Sequence, residues 1–207
     1  MLPLLRDDHG TQDGAPRAAR GLCRWRQVLL LGTPWVLEVK FAYADPPYYA
    51  QGKKLYGKHH DQAAVWDAKD EHLKLIARLV AEYPDGWALS CNPADLRWLL
   101  PATPEGTRVC SWVKTFHQIR PTTVQYAWEP VLLFAGRKDN KRSPMVRDWF
   151  IGVPTRMKGL PGAKSDEFND WVLDLLNYQD GDVVDDLFPG TGGMGRAIER
   201  MNLWRTK

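Results

Sequence analysis

Asp45, Pro46, Pro47 and Tyr48 form a short stretch in which each residue type has a definite chemical use. The two prolines fix two φ angles and remove two N–H donors, so they end any strand or helix that reaches them. The Asp45 carboxylate can accept a hydrogen bond from an amino group, and the rigid turn can aim the Pro46 carbonyl at the same group. Tyr48 can stack on a flat ring. The stretch therefore predicts a site for a planar compound with an amino group, or else a Pro-Pro turn after a core strand.

Three glycines near the end of the chain, Gly190, Gly192 and Gly195, lie between a predicted strand and a predicted helix. Glycine lets a backbone approach a ligand closely, and a helix N-terminus offers N–H groups that have no partner in the helix. The spacing also matches the dinucleotide pattern G-x-G-x-x-G. That pattern requires a complete βαβ unit and an acidic residue about twenty positions later. The given sequence ends at Lys207, so a nicotinamide dinucleotide is not favoured.

The elements that must position these residues can be predicted from periodicity. An apolar strand, Val36–Ala44, leads into Asp45, and a second strand, Val183–Phe188, leads into the glycine loop. Between these two strands the patterns predict three helices, Asp70–Tyr83, Pro93–Leu100 and Asp166–Leu176, and three further strands, Trp87–Ser90, Arg108–Lys114 and Tyr126–Phe134. A final helix is predicted over Arg196–Trp204, after the glycine loop. This order predicts an α/β fold with a mostly parallel sheet and an antiparallel hairpin. The carboxyl ends of parallel strands meet at one sheet edge, where such folds bind ligands.

The capping and apolar residues of these helices are also predicted. Asp70 is the expected N-cap of the first helix, and Asn92 is that of the second. The predicted core face of helix 70–83 comprises Leu73, Ile76, Ala77 and Val80, widened by Leu75 and Leu79, and that of helix 166–176 comprises Phe168, Trp171, Val172, Leu175 and Leu176.

Length and composition set the class of protein. The 207 residues suit one α/β domain, which is expected over 36–207. The leader 1–35 mixes charged residues with glycine and proline and is expected to be disordered or loosely packed. The net charge of +3 permits a polyanionic partner without requiring one. Three cysteines without metal-ligand spacing, no apolar run of about 20 residues and no signal peptide favour a reduced, cytoplasmic protein without a membrane span.

A basic stretch over 137–163 interleaves cations with aromatic residues, including Trp149 and Phe150. Such a surface can follow a phosphate backbone, although a solvated charged insertion has the same composition. The residues expected to contact nucleic acid are Arg137, Lys138, Lys141, Arg142 and Arg147. A second polar loop carries Lys53, Lys54, Lys58, His59 and His60; it lacks the ligands for a metal and is expected to be solvated or to touch phosphate.

The two motifs together resemble those of the S-adenosylmethionine-dependent amino-methyltransferases of DNA. Asp45-Pro46-Pro47-Tyr48 resembles their motif IV, and Asp186-x-Phe188-x-Gly190-x-Gly192 resembles motif I. Ala163 to Phe168 is similar to motif X, with Ser165 where the family usually has proline. Trp128-Glu129-Pro130 also occurs in small phage-type members. The order is the circularly permuted β arrangement, and the resemblance covers about Val39 to Trp204.

This resemblance implies a Rossmann-like methyltransferase fold, S-adenosylmethionine as cofactor and DNA as partner, with no metal and no membrane. It assigns catalysis to Asp45, Pro46, Pro47 and Tyr48, with the segment 137–163 as a target-recognition insertion. The expected cofactor contacts are Asp186, Phe188, Gly190, Thr191, Gly192, Lys164 and Phe168. Tyr49, Trp112 and Phe116 are weaker stacking candidates, for which core packing is the expected role. The setting is expected to be a bacterial cell or a phage-infected host.

The aspartate of motif IV implies the N6 amino group of adenine, since family members that act on cytosine usually have serine and those that act on glutamine usually have asparagine. An N4-cytosine methyltransferase and a catalytically weak or inactive nucleic-acid-binding protein remain alternatives. The second arises because the family places an acidic, ribose-binding strand after motif I, and the given sequence ends about one helix later. Glu38 is a candidate substitute for that acid.

Overall fold

The computed structural model describes residues 39–116, 119, 121–137, 145–154 and 162–205. All the elements below belong to the unit Leu37–Lys207. The predicted leader 1–35 and Glu38 lie outside the described residues, as do Lys138, Lys141 and Arg142.

Six strands form one sheet: β1 (Lys40–Ala44), β2 (Gly86–Ser90), β3 (Arg108–Lys114), β4 (Trp128–Ala135), β5 (Trp149–Gly152) and β6 (Val183–Asp186). Their order across the sheet is β5-β3-β4-β2-β1-β6. Strand β4 runs antiparallel to both neighbours, β2 and β3, whereas the other three pairs are parallel. The predicted mixed α/β architecture, with a mostly parallel sheet and an antiparallel hairpin, is therefore confirmed.

The helices are α1 (Gly52–Tyr56), α2 (Lys69–Glu82), α3 (Leu96–Leu99), α4 (Asp166–Leu175) and α5 (Gly193–Arg205). Short 3-10 turns occupy Ala63–Asp67, Pro93–Asp95 and Leu100–Ala102. The predicted helix over Pro93–Leu100 is thus a 3-10 turn followed by a single α-helical turn. Its predicted cap is confirmed, because the Asn92 side chain accepts a hydrogen bond from the backbone N–H of Ala94 at 3.1 Å. None of the described helices is long and apolar enough to span a membrane.

Strand β1 lies in the centre of the core and is buried on both faces. Phe41 and Tyr43 pack on the side of α4 and α5, whereas Ala42 and Ala44 pack on the side of α2 and α3. Side chains alternate between the faces of a strand, so one five-residue strand joins both halves of the core. The corner that follows it at Asp45 is consequently held from both sides.

The buried face of α2 agrees with the prediction in part. Leu75, Ile76 and Leu79 are buried as predicted, His72 is buried although it was not predicted, and Leu73, Ala77 and Val80 are exposed. Both sets have helical spacing, but the observed set continues into Tyr83, whose large ring is fully buried at the end of the helix. Asp70 lies in the first turn, and the N-cap position is Ala68, which makes no side-chain cap.

Helix α4 agrees with its prediction more closely. Phe168, Trp171, Val172 and Leu176 are buried as expected, and Leu175 is half-buried against the same core. Leu173, which was not predicted, is buried as well. The Ser165 hydroxyl caps the helix by accepting a hydrogen bond from the N–H of Phe168 at 3.2 Å.

The predicted insertion over 137–163 contains a strand that the sequence pattern missed. Trp149–Gly152 form β5, which pairs in parallel with β3 at the edge of the sheet. Phe150 faces inward and stacks on Trp171, with ring centroids 5.8 Å apart, while Trp149 and Ile151 are exposed. An alternation of four residues within a basic run is too short to indicate a strand by itself.

Phe168 should contribute strongly to stability, because its ring is fully buried against Tyr43, Trp112 and Trp171. We expect Phe168→Ala to lower the free energy of unfolding by about 3–5 kcal/mol, as measured by urea denaturation. The control Leu203→Ala removes an exposed apolar side chain and should change stability by no more than about 0.5 kcal/mol. Equal effects of the two substitutions would contradict this assignment of the core.

Candidate functional site

Two loops meet at the carboxyl edge of the sheet. Strands β1 and β6 are direct neighbours with Tyr43 opposite Asp186, so the corner after β1 and the glycine loop after β6 leave the sheet side by side. The N–H of Leu187 donates a hydrogen bond to the carbonyl of Tyr43 at 2.9 Å, which continues the pairing to the start of the loop. The expected meeting of the two motifs at one sheet edge is confirmed.

The Lys164 ammonium forms the centre of a buried polar cluster. Its side chain is 8% exposed, and Nζ lies 3.1 Å from Asp45 Oδ1 and 3.1 Å from Glu129 Oε2. Lys164 Nζ also donates to the Tyr48 hydroxyl at 3.1 Å, and that hydroxyl donates to Glu129 Oε2 at 2.7 Å. Lys114 forms a further ion pair with Glu129 Oε1. Two carboxylates and two ammonium groups thus balance one another around the Tyr48 hydroxyl.

The environment shifts the pKa of each member in a defined direction. Burial raises the pKa of Asp45, and the Lys164 charge only partly offsets that effect. Burial by itself lowers the pKa of Lys164, but Asp45 and Glu129 together raise it well above its usual range. Burial would raise the pKa of Glu129, yet the Lys164 and Lys114 charges bring it down to about 2. Lys164 is therefore a permanent cation and Glu129 a permanent anion near neutral pH.

Two cavities share the Asp45–Lys164 pair as a common wall, together with Tyr56 and Gly162. The first has a volume of about 380 Å³ and reaches the glycine loop. Its lining includes Trp66, Asp186, Phe188, Gly190, Thr191 and Met194. The second has a volume of about 470 Å³ and is lined by Pro46, Tyr48, Lys114 and Glu129 and by the rings of Phe116, Tyr126 and Trp128. Both volumes are within the range of small-molecule sites.

The glycine loop is shaped by its own backbone and by α4. Gly190 and Gly192 have φ angles of +47° and +72°, which residues with a Cβ rarely adopt. Asp186 Oδ1 accepts a hydrogen bond from the N–H of Phe188 at 3.2 Å, and burial raises the pKa of this carboxyl. A Cβ on Gly193 would lie 2.6 Å from Asn169 Nδ2, so a larger residue where α5 begins would require the Asn169 side chain to shift.

The structure brings most of the predicted site residues together. Asp45 borders both cavities, Pro47 lines the first, and Pro46 and Tyr48 line the second. Asp186, Phe188, Gly190 and Thr191 line the first cavity, and Gly192 lies in the same loop. Lys164, which was predicted as a cofactor contact, borders both cavities and not only the one at the glycine loop.

Phe168 does not line either cavity. Its ring is fully buried in the core, behind Lys164, whose Nζ lies 5.7 Å from the ring centroid. It therefore supports the site from behind instead of contacting a ligand. Among the weaker stacking candidates, Trp112 is a core residue as expected, and Tyr49 packs edge-on against Trp98 with centroids 5.8 Å apart. Phe116, in contrast, is 51% exposed at the second cavity, so the expected core role is wrong for this residue.

The described residues among the predicted nucleic-acid contacts are not brought to this site. Arg137 follows β4 and Arg147 precedes β5, so both lie at the amino edge of the sheet, away from the two cavities. Arg137 forms an ion pair with the nearly buried Asp182. The guanidinium of Arg147 lies 5.1 Å from the Trp149 ring centroid. Lys138, Lys141 and Arg142 lie outside the described residues.

Several site residues were missed by the sequence analysis, notably Glu129, Lys114, Tyr56 and Trp66. Glu129 offered a signal, since an acid between Trp128 and Pro130 opens an otherwise apolar strand. The spacing of Trp66 in the sequence gave no signal of its role. In the structure it lines the first cavity and packs edge-on against Phe188, with ring centroids 4.9 Å apart. No group of three or more potential metal-binding side chains is found in the part of the chain that the structure describes.

Comparison with solved structures gives the fold of the chain. It is similar to M1.HpyAVI in a crystal structure of the M1.HpyAVI–SAM complex, with a TM-score of 0.55, 20% identity, and coverage of 80% of this chain and 79% of that chain. A second crystal structure of M1.HpyAVI gives a TM-score of 0.50 and 19% identity, with coverage of 80% and 78%. The sequence matches no family model and no curated protein. The chain thus has the mixed α/β fold of M1.HpyAVI.

Glu129 should stabilise the protein through its ion pairs with Lys164 and Lys114. Because folding lowers the pKa of Glu129 from 4.5 to about 2, its contribution is complete above pH 4.5 and is lost as the pH falls towards 2. Near neutral pH we expect Glu129→Gln to lower the free energy of unfolding by about 3 kcal/mol. Urea denaturation from pH 7 to pH 3 should show that difference shrinking. A difference that does not depend on pH would contradict the ion-pair assignment, and the exposed Glu105→Gln serves as the control.

Proposed function

We propose that this protein transfers a methyl group from S-adenosylmethionine to the exocyclic N6 amino group of adenine in DNA. The observation that carries the proposal is the position of Asp45, whose carboxylate borders both the cavity at the glycine loop and the adjoining cavity lined by Tyr48. A transfer reaction needs two adjoining sites of this kind, because the acceptor nitrogen must reach the methyl carbon in line with the departing sulfur.

The first cavity suits S-adenosylmethionine in size and in chemistry. Its volume of about 380 Å³ is appropriate for a nucleoside-sized ligand. The backbone of Gly190 and Thr191 can approach the ligand, the apolar wall of Trp66 and Phe188 suits a flat ring, and the carboxylates of Asp45 and Asp186 suit a cationic ligand. M1.HpyAVI, which shares the fold, has a structure as a SAM complex. Bound there, the cofactor supplies an activated, positively charged methyl donor.

The second cavity suits a planar base with an amino group. Asp45 Oδ1 is engaged by Lys164, while Oδ2 has no hydrogen-bond partner among the described residues. Oδ2 can therefore accept one amino hydrogen, and the Pro46 carbonyl is the candidate acceptor for the other. With both hydrogens held, the nitrogen lone pair is directed away from the two acceptors and towards the first cavity. Tyr48, whose hydroxyl is fixed by Glu129 and Lys164, offers its ring to the face of the base.

The chemistry requires little beyond this alignment. The nitrogen lone pair forms a bond to the methyl carbon while the bond between that carbon and sulfur breaks, and one amino proton leaves afterwards. A strong general base is unnecessary before attack, so the principal tasks of Asp45 are orientation and electrostatic stabilisation. In duplex DNA the base must first leave the stack to enter the cavity. The choice of adenine over cytosine rests on the aspartate at position 45, by resemblance to family members.

The direct test is methyl transfer from labelled S-adenosylmethionine to unmethylated DNA, followed by digestion to nucleosides and mass spectrometry. We expect N6-methyladenine with the native protein and at least a thousandfold less with Asp45→Ala, because the amino group loses its acceptor. The control Asp180→Ala alters an exposed aspartate in a turn and should retain full activity. Methylation by a folded Asp45→Ala protein would exclude this mechanism, and N4-methylcytosine as product would exclude the adenine assignment.

A second prediction concerns the cofactor loop. Gly190→Val should abolish S-adenosylmethionine binding in calorimetry, because the new side chain stands in the cavity wall at a φ of +47°. Gly195→Val is a matched control, since a Cβ at Gly195 has no neighbour within 4 Å and the residue is exposed on α5. Equal affinities of the two variants would count against the loop as the cofactor site.

A further inference from the structure

The connection between β1 and α2 contains a short segment whose two ends are hydrogen-bonded to each other, which we call the α1 segment (residues 51–67). The Asp67 carboxylate accepts hydrogen bonds from the N–H groups of Gly52 at 2.7 Å and Lys53 at 3.1 Å, so the end of the segment caps its beginning. A Cβ on Gly52 would lie 2.0 Å from the carbonyl oxygen of Ala63, so the two halves are in direct contact. These contacts give the segment a defined shape.

One side of the α1 segment forms walls of both cavities. Ala63 and Trp66 line the first cavity, Gln51 and Leu55 line the second, and Tyr56 borders both. The segment therefore follows the rim along which a bound nucleotide must enter.

The same segment carries an excess of positive charge. Lys53, Lys54 and Lys58 are exposed, and no ion pair joins them to a carboxylate within the described part of the chain. Lys53 and Lys54 lie next to Leu55, which is directed to the second cavity. Leu55 and Tyr56, which lie between Lys54 and Lys58 in sequence, line the cavities, so these exposed cations lie close to the rim. The acids of the segment are Asp61, which is exposed, and Asp67, whose carboxylate binds the N–H groups of Gly52 and Lys53.

The rim of the second cavity also carries aromatic rings from the β3–β4 hairpin. Phe116, Tyr126 and Trp128, which we call the aromatic rim, are 51%, 53% and 36% exposed and all line this cavity. Exposed aromatic rings at the mouth of a polar cavity can present a face to flat ligands. Cations that follow a backbone, combined with rings that accept bases, are the usual construction of a surface for single-stranded nucleic acid.

We propose that the DNA strand crosses the carboxyl edge of the sheet, with Lys53, Lys54 and Lys58 on its phosphates and the aromatic rim against a base next to the target. This inference rests on the proposed function and assigns its DNA surface. When a base enters the second cavity, the phosphates on either side of its sugar stay outside, because a buried phosphate needs a paired cation. They then pass along the rim where the α1 segment presents its lysines.

Topology favours this surface over Arg137 and Arg147, the two described residues among the nucleic-acid contacts that the sequence predicted. Arg137 and Arg147 lie at the amino edge of the sheet. Asp45 and Gly190 follow β1 and β6, which end at the opposite, carboxyl edge. Arg137 is moreover engaged by Asp182. A strand with its base in the second cavity therefore meets the α1 segment first.

The salt dependence of DNA binding tests the lysines. We expect Lys53→Gln/Lys54→Gln to reduce the slope of log affinity against log salt by about 0.9 per lysine on duplex DNA and about 0.7 on a single strand. On the duplex, this makes the loss of affinity between 50 and 200 mM salt roughly tenfold smaller. Arg108→Gln/Arg147→Gln removes the same charge from exposed residues at the amino edge and should leave the slope unchanged. The reverse pattern would overturn the proposal.

Stacking gives an independent test on the same oligonucleotides. Tyr126→Ala should weaken binding on the order of tenfold at every salt concentration, without changing the slope. Trp149→Ala, which removes an exposed ring at the far edge strand, is the control and should bind normally. Normal binding by Tyr126→Ala together with an unchanged slope in the lysine variant would overturn the DNA surface.

The failure of this surface can be distinguished from the failure of the proposed function. The lysine variant should bind S-adenosylmethionine as the native protein does, because its substituted residues line neither cavity. Methylation of DNA by the native protein, with a salt slope that does not depend on the lysines, overturns the surface alone. A native protein that shows the lysine-dependent slope but transfers no methyl group supports the surface and removes the enzymatic function.

Discussion

A buried ammonium group imposes the central constraint on this structure. Removing the Lys164 charge from water costs several kcal/mol, and only close anionic partners can offset that cost. Asp45 and Glu129 supply the partners, each at 3.1 Å from Nζ. The three residues come from the end of β1, from β4 and from the turn before α4. Burial of one lysine therefore ties together three distant parts of the chain, and Asp45 has a fixed orientation only when all three are folded.

The single antiparallel strand makes this arrangement possible. Parallel strands all end at the carboxyl edge, so β1, β2 and β6 bring only their last residues and following loops to the site. Strand β4 runs the other way and therefore brings its first residues, including Glu129, to the same edge. Glu129 is thus held by a strand inside the sheet instead of by a loop, and Val131, two residues further along this strand, is buried. Such support is what an orienting group needs, because a rigid element positions a side chain better than a loop does.

Local patterns in the sequence were sufficient for much of the fold and for the chemistry of both loops. The corner at Asp45, the glycine loop and the core face of α4 follow from residue types a few positions apart. The face of α2 could not be chosen in the same way, because Leu73, Val80 and the buried set 72, 75, 76 and 79 all have helical spacing. Neighbouring elements decide between them, and the buried ring of Tyr83 belongs to only one set. Glu129 is a visible acid in an apolar strand, but its partner could not be read from local spacing, since that partner is a lysine 35 residues away.

The same limit applies to charge. A sequence gives the number of cations in a stretch, but the direction of the strands decides which edge of the sheet receives them. Arg137 and Arg147 are carried to the amino edge, where Arg137 pairs with Asp182 and so serves the fold. The lysines of the α1 segment form a shorter run, yet Leu55 and Tyr56, which lie between Lys54 and Lys58 in sequence, line the two cavities, and no described carboxylate pairs with these lysines. A cation attracts a phosphate effectively only within about one Debye length, so position relative to the cavities outweighs the count. The basic character of this protein is therefore better judged separately at each edge of the sheet than along the chain.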